Sequence, residues 1–67
     1  MNYINVQSSN IKSIGWKDRK LQVTFKNGVT YEYENVSETV YHMFVNDDEP
    51  GKFYRRSIQR KYKETKI

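Results

Sequence analysis

Basic side chains are concentrated in the last quarter of this 67-residue chain. Residues 51–67 carry seven basic and one acidic side chain, a net charge of +6, whereas residues 1–50 carry five basic and seven acidic ones, a net charge of −2. Such an asymmetry indicates an anionic partner. Arginines grouped at one place suit bidentate binding of phosphate better than they suit simple solubility. The C-terminal quarter is therefore the first candidate for a binding site.

A helix would place these cations on one face. The sequence predicts a helix from about Glu49 and Pro50 to about Lys61, and side chains four residues apart lie on one side of a helix. The cations that then share a narrow sector are Lys52, Arg56, Arg60 and Lys63, with Arg55 nearby. Like charges at this spacing repel by roughly a few tenths of a kcal/mol per pair, which an anionic ligand would relieve. The alternative is an ordinary solvated face, partly neutralised by the acids at positions 47–49.

Two other groups complete the predicted site. The run Ser8-Ser9-Asn10 offers neutral hydrogen-bonding groups, although it is equally typical of a polar lead-in that caps the first long strand. Tyr54, at the edge of the cationic face, is amphipathic enough to pack on a base. The predicted ligand-binding residues are Ser8, Ser9, Asn10, Lys52, Tyr54, Arg55, Arg56 and Arg60. Within this set, Lys52 and the three arginines are expected to bind phosphate.

Nothing in the sequence predicts a catalytic or metal site. His42 is the only histidine, it falls on the side of its helix away from Val40 and Phe44, and there is no cysteine. Glu32 and Glu34 fall on the solvent face of a strand, where paired carboxylates are usually solubilising. The three glycines are scattered, so no glycine-rich phosphate loop is present. We therefore expect a binding protein rather than an enzyme, with no catalytic residue, no metal and no cofactor.

The first half of the chain is typical of antiparallel strands. Apolar and polar residues alternate through residues 20–25 and again through residues 29–34, which is the pattern of half-buried strands. An earlier strand, about Asn10 to Trp16, joins them and places Trp16 opposite Leu21. Together they predict a three-stranded meander that is apolar on one side.

The turn between the second and third of these strands is set by the register. A two-residue turn at Asn27-Gly28 would put the two apolar sets on opposite faces of the sheet. We therefore predict a three-residue loop, 26–28, with Gly28 in the left-handed position that a bulged hairpin requires. The pairs that follow are Phe25 with Val29, Val23 with Tyr31 and Leu21 with Tyr33.

The second half of the chain predicts two helices. Ser37 is a plausible N-cap for the first, which runs to about Asn46. The predicted buried positions are Val40, Tyr41 and Phe44 on the first helix, with Met43 as a further candidate, and Tyr54, Ile58 and Tyr62 on the second. The aromatic residues expected in the core are Trp16, Phe25, Tyr31, Tyr33, Tyr41 and Phe44. The predicted fold is α+β, a three-stranded antiparallel β-meander followed by two α-helices packed on one face, in a single domain of residues 1–67.

The small size of the chain predicts self-association. A domain of about 60 residues buries only about 60% of the surface that its unfolded chain exposes, and without cysteines no disulfide can support it. Oligomerisation is the usual remaining support, so we expect a homo-oligomer, a dimer or a tetramer. No signal peptide and no membrane-spanning run is recognisable. We therefore expect no membrane partner and a cytoplasmic location, the host cytoplasm if the chain is phage-encoded.

The order and spacing of several short motifs resemble the KTSC domain over about residues 5–63. The motifs are Val6-Gln7-Ser8-Ser9-Asn10-Ile11, Ser13-Ile14-Gly15-Trp16, Leu21-x-Val23-x-Phe25-x-Asn27-Gly28, Tyr31-Glu32-Tyr33, Val36-x-x-x-Val40-Tyr41 and Gly51-Lys52-Phe53-Tyr54, followed by Ile58 and Tyr62. The resemblance implies a domain found at the C-terminus of some lysyl-tRNA synthetases and in stand-alone small proteins of bacteria and phages, with a suggested RNA-binding role. The chain departs from the family pattern at Arg55, usually Asn, and at residues 47–50, usually small.

These features predict non-enzymatic binding of a nucleotide-type phosphodiester. In size and character the chain is similar to phage-encoded oligomeric sponges, which sequester cyclic dinucleotide signals and so blunt host immunity. Basic helices of two subunits would then face one ligand with two phosphates. One alternative is a module that binds RNA or single-stranded DNA, for which affinity would fall steeply with salt. Another is a protein–protein inhibitor of a host factor, for which the arginines would be dispensable.

Overall fold

The structure, a computed structural model of residues 1–67, contains a five-stranded antiparallel sheet whose spatial order follows the chain. The strands are β1 (Tyr3–Asn5), β2 (Ile11–Lys17), β3 (Lys20–Phe25), β4 (Thr30–Tyr33) and β5 (Glu64–Lys66). The α+β class is confirmed, whereas the prediction of three strands is wrong. The two additional strands are three-residue segments that cover the edges of the predicted meander. Segments this short carry too few residues for an alternating pattern to stand out in the sequence.

The predicted register of the central strands is confirmed. Val23 lies opposite Tyr31 and Leu21 lies opposite Tyr33. The loop is the predicted one, since the backbone N–H of Phe25 donates to the carbonyl of Val29 at 2.8 Å. Gly28 has φ +92°, a left-handed conformation that favours glycine. On the other side of β3, Trp16 of β2 lies opposite Leu21, also as predicted.

The first helix, α1 (Glu38–Asn46), begins as predicted. The hydroxyl of Ser37 accepts a hydrogen bond from the backbone N–H of Val40 at 3.2 Å, which is the geometry of an N-cap. Tyr41 and Phe44 are the buried residues of this helix, and Val40 packs against the core. The predicted apolar face of α1 is therefore confirmed for these three residues, whereas Met43, the further candidate, is 56% exposed.

The second helix ends earlier than predicted. Helix α2 (Pro50–Phe53) continues directly into a π-helical turn, Tyr54–Ile58, and the two together are called the second helix below. The N–H of Gln59 donates to the carbonyl of Tyr54 at 2.8 Å, five residues earlier. Gln59 then has an extended ψ of 126°, which takes the chain out of the helix, and Arg60 follows with φ +64°. The predicted extension to Lys61 is wrong, and so is the cationic face that depended on it.

Pairing with the sheet explains why the helix stops. Residues after Lys61 run back along β4, where the N–H of Glu34 donates to the carbonyl of Lys63 at 3.1 Å and the N–H of Ile67 donates to that of Thr30 at 3.0 Å. This pairing satisfies backbone groups that β4 would otherwise leave open at the sheet edge. It also separates the cations that a longer helix would hold close together.

Both helices cover one face of the sheet and enclose the core there. The buried apolar residues are Ile11, Ile14, Leu21, Val23, Tyr33, Val36, Tyr41, Phe44, Phe53, Tyr54 and Ile58. Of the aromatic residues predicted in the core, Tyr33, Tyr41 and Phe44 are buried, whereas Trp16, Phe25 and Tyr31 pack against it half-buried, as does Tyr62. None of the helices has the length and apolar character that crossing a membrane requires.

Candidate functional site

A groove lies where the segment before β2, the β3–β4 loop and the second helix meet. Its volume is about 350 Å³, and we call it the Arg55 groove. Its lining combines the cations Lys26 and Arg55, the neutral polar residues Ser9, Asn10, Asn27 and Gln59, the apolar residues Ile11, Phe25 and Tyr54, and Gly51. Two cations beside four neutral hydrogen-bonding side chains, with no carboxylate among them, form a lining suited to an anion.

Local hydrogen bonds hold the segment before β2 in place. The hydroxyl of Ser8 accepts from the backbone N–H groups of Asn10 and Ile11, each at 3.3 Å. The carbonyl of Asn10 accepts from the backbone N–H of Lys26 at 2.8 Å, which ties this segment to the β3–β4 loop. The alternative role predicted for the serine run, a cap before the first long strand, is therefore confirmed for Ser8. Its role as a ligand-binding residue stays a prediction.

The cations of the second helix differ in their partners. Lys52 lies 3.0 Å from a carboxylate oxygen of Glu49. Arg56 lies 3.9 Å from a carboxylate oxygen of Asp47, and its guanidinium lies over the ring of Phe53 at 5.9 Å. Arg55 is exposed and takes part in none of the four ion pairs of the structure. Arg55 is thus the cation of this helix whose charge the protein does not itself neutralise at close range.

The structure brings together part of the predicted site. Ser9, Asn10, Tyr54 and Arg55 line the Arg55 groove. Ser8 and Lys52 line an adjoining groove of about 280 Å³, which we call the acidic groove because Asp48 and Glu49 also line it. Ser9, Asn10 and Arg55 line both grooves. Arg56 and Arg60 line neither groove, because Arg56 faces Asp47 and Arg60 follows the end of the helix. The single cationic surface predicted from helical spacing is not formed.

Tyr54 lies mostly inside the molecule. It is 8% exposed, and its hydroxyl lies 2.5 Å from that of Tyr33, which donates to Glu64 of β5 at 2.8 Å. Burial raises the pKa of Tyr33, and its hydrogen bonds with Tyr54 and Glu64 raise it further. Burial also raises the pKa of Tyr54. This chain of hydroxyls joins the groove wall to the C-terminal strand. Because Tyr54 is nearly buried, little of its ring is free to pack on a base.

Several groove residues were missed by the sequence reasoning. Lys26 and Asn27 belong to the β3–β4 loop, Gln59 follows the second helix, and Phe25 was assigned to the core. The predicted register already placed the loop at residues 26–28. What the sequence lacked was a signal that this loop contacts Asn10, because that contact joins backbone atoms and depends on no side-chain type.

Comparison with known proteins identifies the family. A family model of the KTSC domain matches residues 7–62, which is most of the chain. The chain belongs to the KTSC domain family. The matched residues include Ser9, Asn10, Lys26 and Arg55, so the Arg55 groove lies within the KTSC domain.

A solved KTSC domain has the same fold. The crystal structure of a KTSC domain protein from Yersinia pestis matches with a TM-score of 0.91 and 33% sequence identity, covering 98% of this chain and 96% of that one. No curated protein sequence matches the chain. The resemblance predicted from the motifs is therefore confirmed at the level of family and fold.

Proposed function

We propose that this KTSC domain binds a nucleotide-type phosphodiester without converting it. The observation that carries the proposal is Arg55, an exposed arginine without an acidic partner at the edge of a groove lined by neutral hydrogen-bonding groups. A guanidinium offers two parallel N–H donors to a phosphate, and Lys26 of the β3–β4 loop adds a second positive charge to the groove lining. The groove lining holds no histidine, cysteine or carboxylate, which supports binding rather than catalysis.

The acidic groove limits where the phosphate can lie. Asp48 and Glu49 line it together with Lys52, and Glu49 already pairs with that lysine. Carboxylates repel phosphate, so the end near Lys52 is less favourable for an anion than the end near Lys26. We therefore place the phosphate between Arg55 and Lys26, with Ser9 and Asn10 as neutral donors.

The sharpest form of the proposal is sequestration of a cyclic dinucleotide by two or more copies of the chain. A site that buries most of a small ligand is difficult to build in one 67-residue subunit. Each chain presents one unpaired arginine at its groove, and a cyclic dinucleotide carries two phosphates. Two copies that face each other across the ligand would match one Arg55 to each phosphate.

A thermal-shift screen tests the proposal. The protein is heated with cyclic di-AMP, cyclic di-GMP, mononucleotides and short single-stranded RNAs. A ligand at 100 times its Kd should stabilise the fold by about 2.7 kcal/mol, which raises Tm by about 10 °C or more in a domain of this size. The nucleotide recovered after heat denaturation should be unchanged. Absence of a shift with every nucleotide and RNA would contradict the proposal, and recovery of a hydrolysed nucleotide would contradict its non-enzymatic part.

Binding of RNA or single-stranded DNA is the second candidate. It is favoured by a third groove, which adjoins the Arg55 groove on the side away from the acidic one and could extend the path of a strand. Salt dependence separates the two candidates. A polymer site releases many counterions, so its affinity falls steeply between 50 and 200 mM salt, by about 10³-fold or more for six phosphate contacts. A dinucleotide site involves two phosphates and should lose far less.

A further inference from the structure

The third groove has a different chemistry from the Arg55 groove that it adjoins. Its volume is about 260 Å³, and four of its six lining residues are apolar. The residues that line both grooves are Phe25, Asn27, Tyr54 and Gln59, and those that line only the third are Val29 and Tyr31. We call it the aromatic groove. An anion at Arg55 would therefore lie in the groove next to a shallow, mostly apolar surface.

The rings of this groove are fixed by contacts with one another. The ring of Phe25 meets that of Tyr31 edge to face at 6.0 Å and that of Tyr54 edge to face at 5.2 Å. Tyr54 is nearly buried, whereas Phe25 and Tyr31 are half-buried and keep part of their surface toward the groove. The aromatic surface open to a ligand thus belongs to Phe25 and Tyr31, two residues that the sequence assigned to the core.

Two primary amides border the same surface. The side-chain oxygen of Asn27 accepts from the backbone N–H of Val29 at 3.0 Å, which orients the amide and leaves its two N–H donors free. Gln59 is exposed and makes no side-chain hydrogen bond within the chain. An amide offers a donor and an acceptor, the combination that the edge of a nucleobase requires.

We propose that the aromatic groove binds the base of a nucleotide whose phosphate lies at Arg55, so that each chain holds one base. The inference deepens the proposed function and rests on it. Phe25 and Tyr31 provide the ring contact, and Asn27 and Gln59 contact the edge of the base. Tyr54, which the sequence suggested as the base-packing residue, instead contacts the ring of Phe25 edge to face.

The test compares AMP with ribose 5-phosphate, which has the same phosphate and sugar but no base. Stacking of one base on protein rings is worth about 1–3 kcal/mol, so AMP should bind at least about fivefold more tightly. NMR titration of the wild-type protein measures both affinities. The ring protons of Phe25 and Tyr31 should shift with AMP and not with ribose 5-phosphate.

Tyr31→Leu keeps an apolar side chain but removes the ring, so it should lower the affinity for AMP to that for ribose 5-phosphate. Tyr62→Leu is the matched control, because Tyr62 is also half-buried but lines neither groove. Equal affinities for AMP and ribose 5-phosphate in the wild type would overturn the inference, and so would the failure of both to bind. Should a cyclic dinucleotide bind in the thermal-shift screen while Tyr31→Leu binds it as the wild type does, the inference fails and the proposed function stands.

Discussion

Arg55 and Arg56 are neighbours in the sequence but have different surroundings on the second helix. Arg56 has an acidic partner, Asp47, and an aromatic ring beneath it, whereas Arg55 has neither and lies where the Arg55 groove meets the acidic groove. The two residues have the same charge and length and belong to the same π-helical turn. Their surroundings therefore separate a cation that the protein itself neutralises from one that is open to an external anion.

The two sides of the helix differ in the same way in their packing. On the side of Arg56, Phe53 is buried and its ring stacks on that of Phe44 at 5.2 Å. On the side of Arg55, the lining includes exposed polar residues such as Ser9 and Gln59. The side of Arg56 therefore stabilises the fold, and the side of Arg55 is free to bind a ligand. The predictions below test this division.

The largest expected effect is on the packed side. Phe53→Ala removes a ring that is 4% exposed, and such a change costs about 3–5 kcal/mol. Gln59→Ala on the groove side should change stability by no more than about 0.5 kcal/mol. Urea denaturation of both variants measures the two values. Similar losses from both substitutions would contradict the division.

The next effect concerns the buried hydroxyls behind the groove. Tyr33→Phe removes the hydroxyl that joins Tyr54 to Glu64, leaving a buried polar atom without its partner, which costs about 1–3 kcal/mol. Tyr62→Phe is the control, since Tyr62 makes no side-chain hydrogen bond in the structure and should lose almost nothing. Equal stabilities of the two variants in urea denaturation would show that the hydroxyl chain contributes nothing.

The same residue predicts a dependence on pH. Burial raises the pKa of Tyr33 in the folded state. Its contribution to stability is complete below about pH 10, the pKa of an unfolded tyrosine. It is lost as the pH rises further, because the unfolded chain ionises first. Above pH 10 the free energy of unfolding should therefore fall less steeply for Tyr33→Phe than for the wild type, and parallel curves would contradict this assignment.

A smaller effect tests where the second helix ends. Arg60 has φ +64°, so Arg60→Gly should relieve strain and stabilise the fold by about 0.5–1 kcal/mol. Lys61→Gly, at a position without a positive φ, should not stabilise it. If the segment were helical, as its sequence pattern suggested, each glycine would instead lower stability by about 1 kcal/mol. Thermal unfolding of the two variants distinguishes these structures.

The smallest effect concerns the ion pair between the exposed Arg56 and the half-buried Asp47. Asp47→Asn removes the carboxylate that lies 3.9 Å from the guanidinium of Arg56. Exposed ion pairs contribute about 1 kcal/mol or less, so the stability should change little. Because Arg56 lines neither the Arg55 groove nor the acidic groove, freeing its charge should raise nucleotide affinity less than about twofold. A larger gain, measured by titration, would place the site on the wrong side of the helix.

The central sheet, α1 and the family were within reach of the sequence, because strict alternation, a serine cap and the motif spacing are local signals. The register of β3 and β4 followed from requiring one apolar face. The edge strands and the π-helical turn could not be predicted from the sequence, since they depend on pairing with a finished sheet.

Prediction of the site had the same limit. Charge density predicted a site in the C-terminal quarter, and helical spacing favoured Arg56 and Arg60 there. Only the folded chain places Arg55 with Ser9 and Asn10 along one groove. Self-association and a cytoplasmic location stay predictions.

The most direct test compares Arg55→Gln with Arg56→Gln, two variants with the same loss of charge on the same turn. Titration of each with the tightest-binding nucleotide of the thermal-shift screen measures the difference. Hydrogen bonds to a charged group are worth about 1.5–3 kcal/mol, so Arg55→Gln should weaken binding by about tenfold or more, and Arg56→Gln by less than about twofold. Equal losses from the two variants, or a larger loss from Arg56→Gln, would contradict the assignment of the anion site to Arg55.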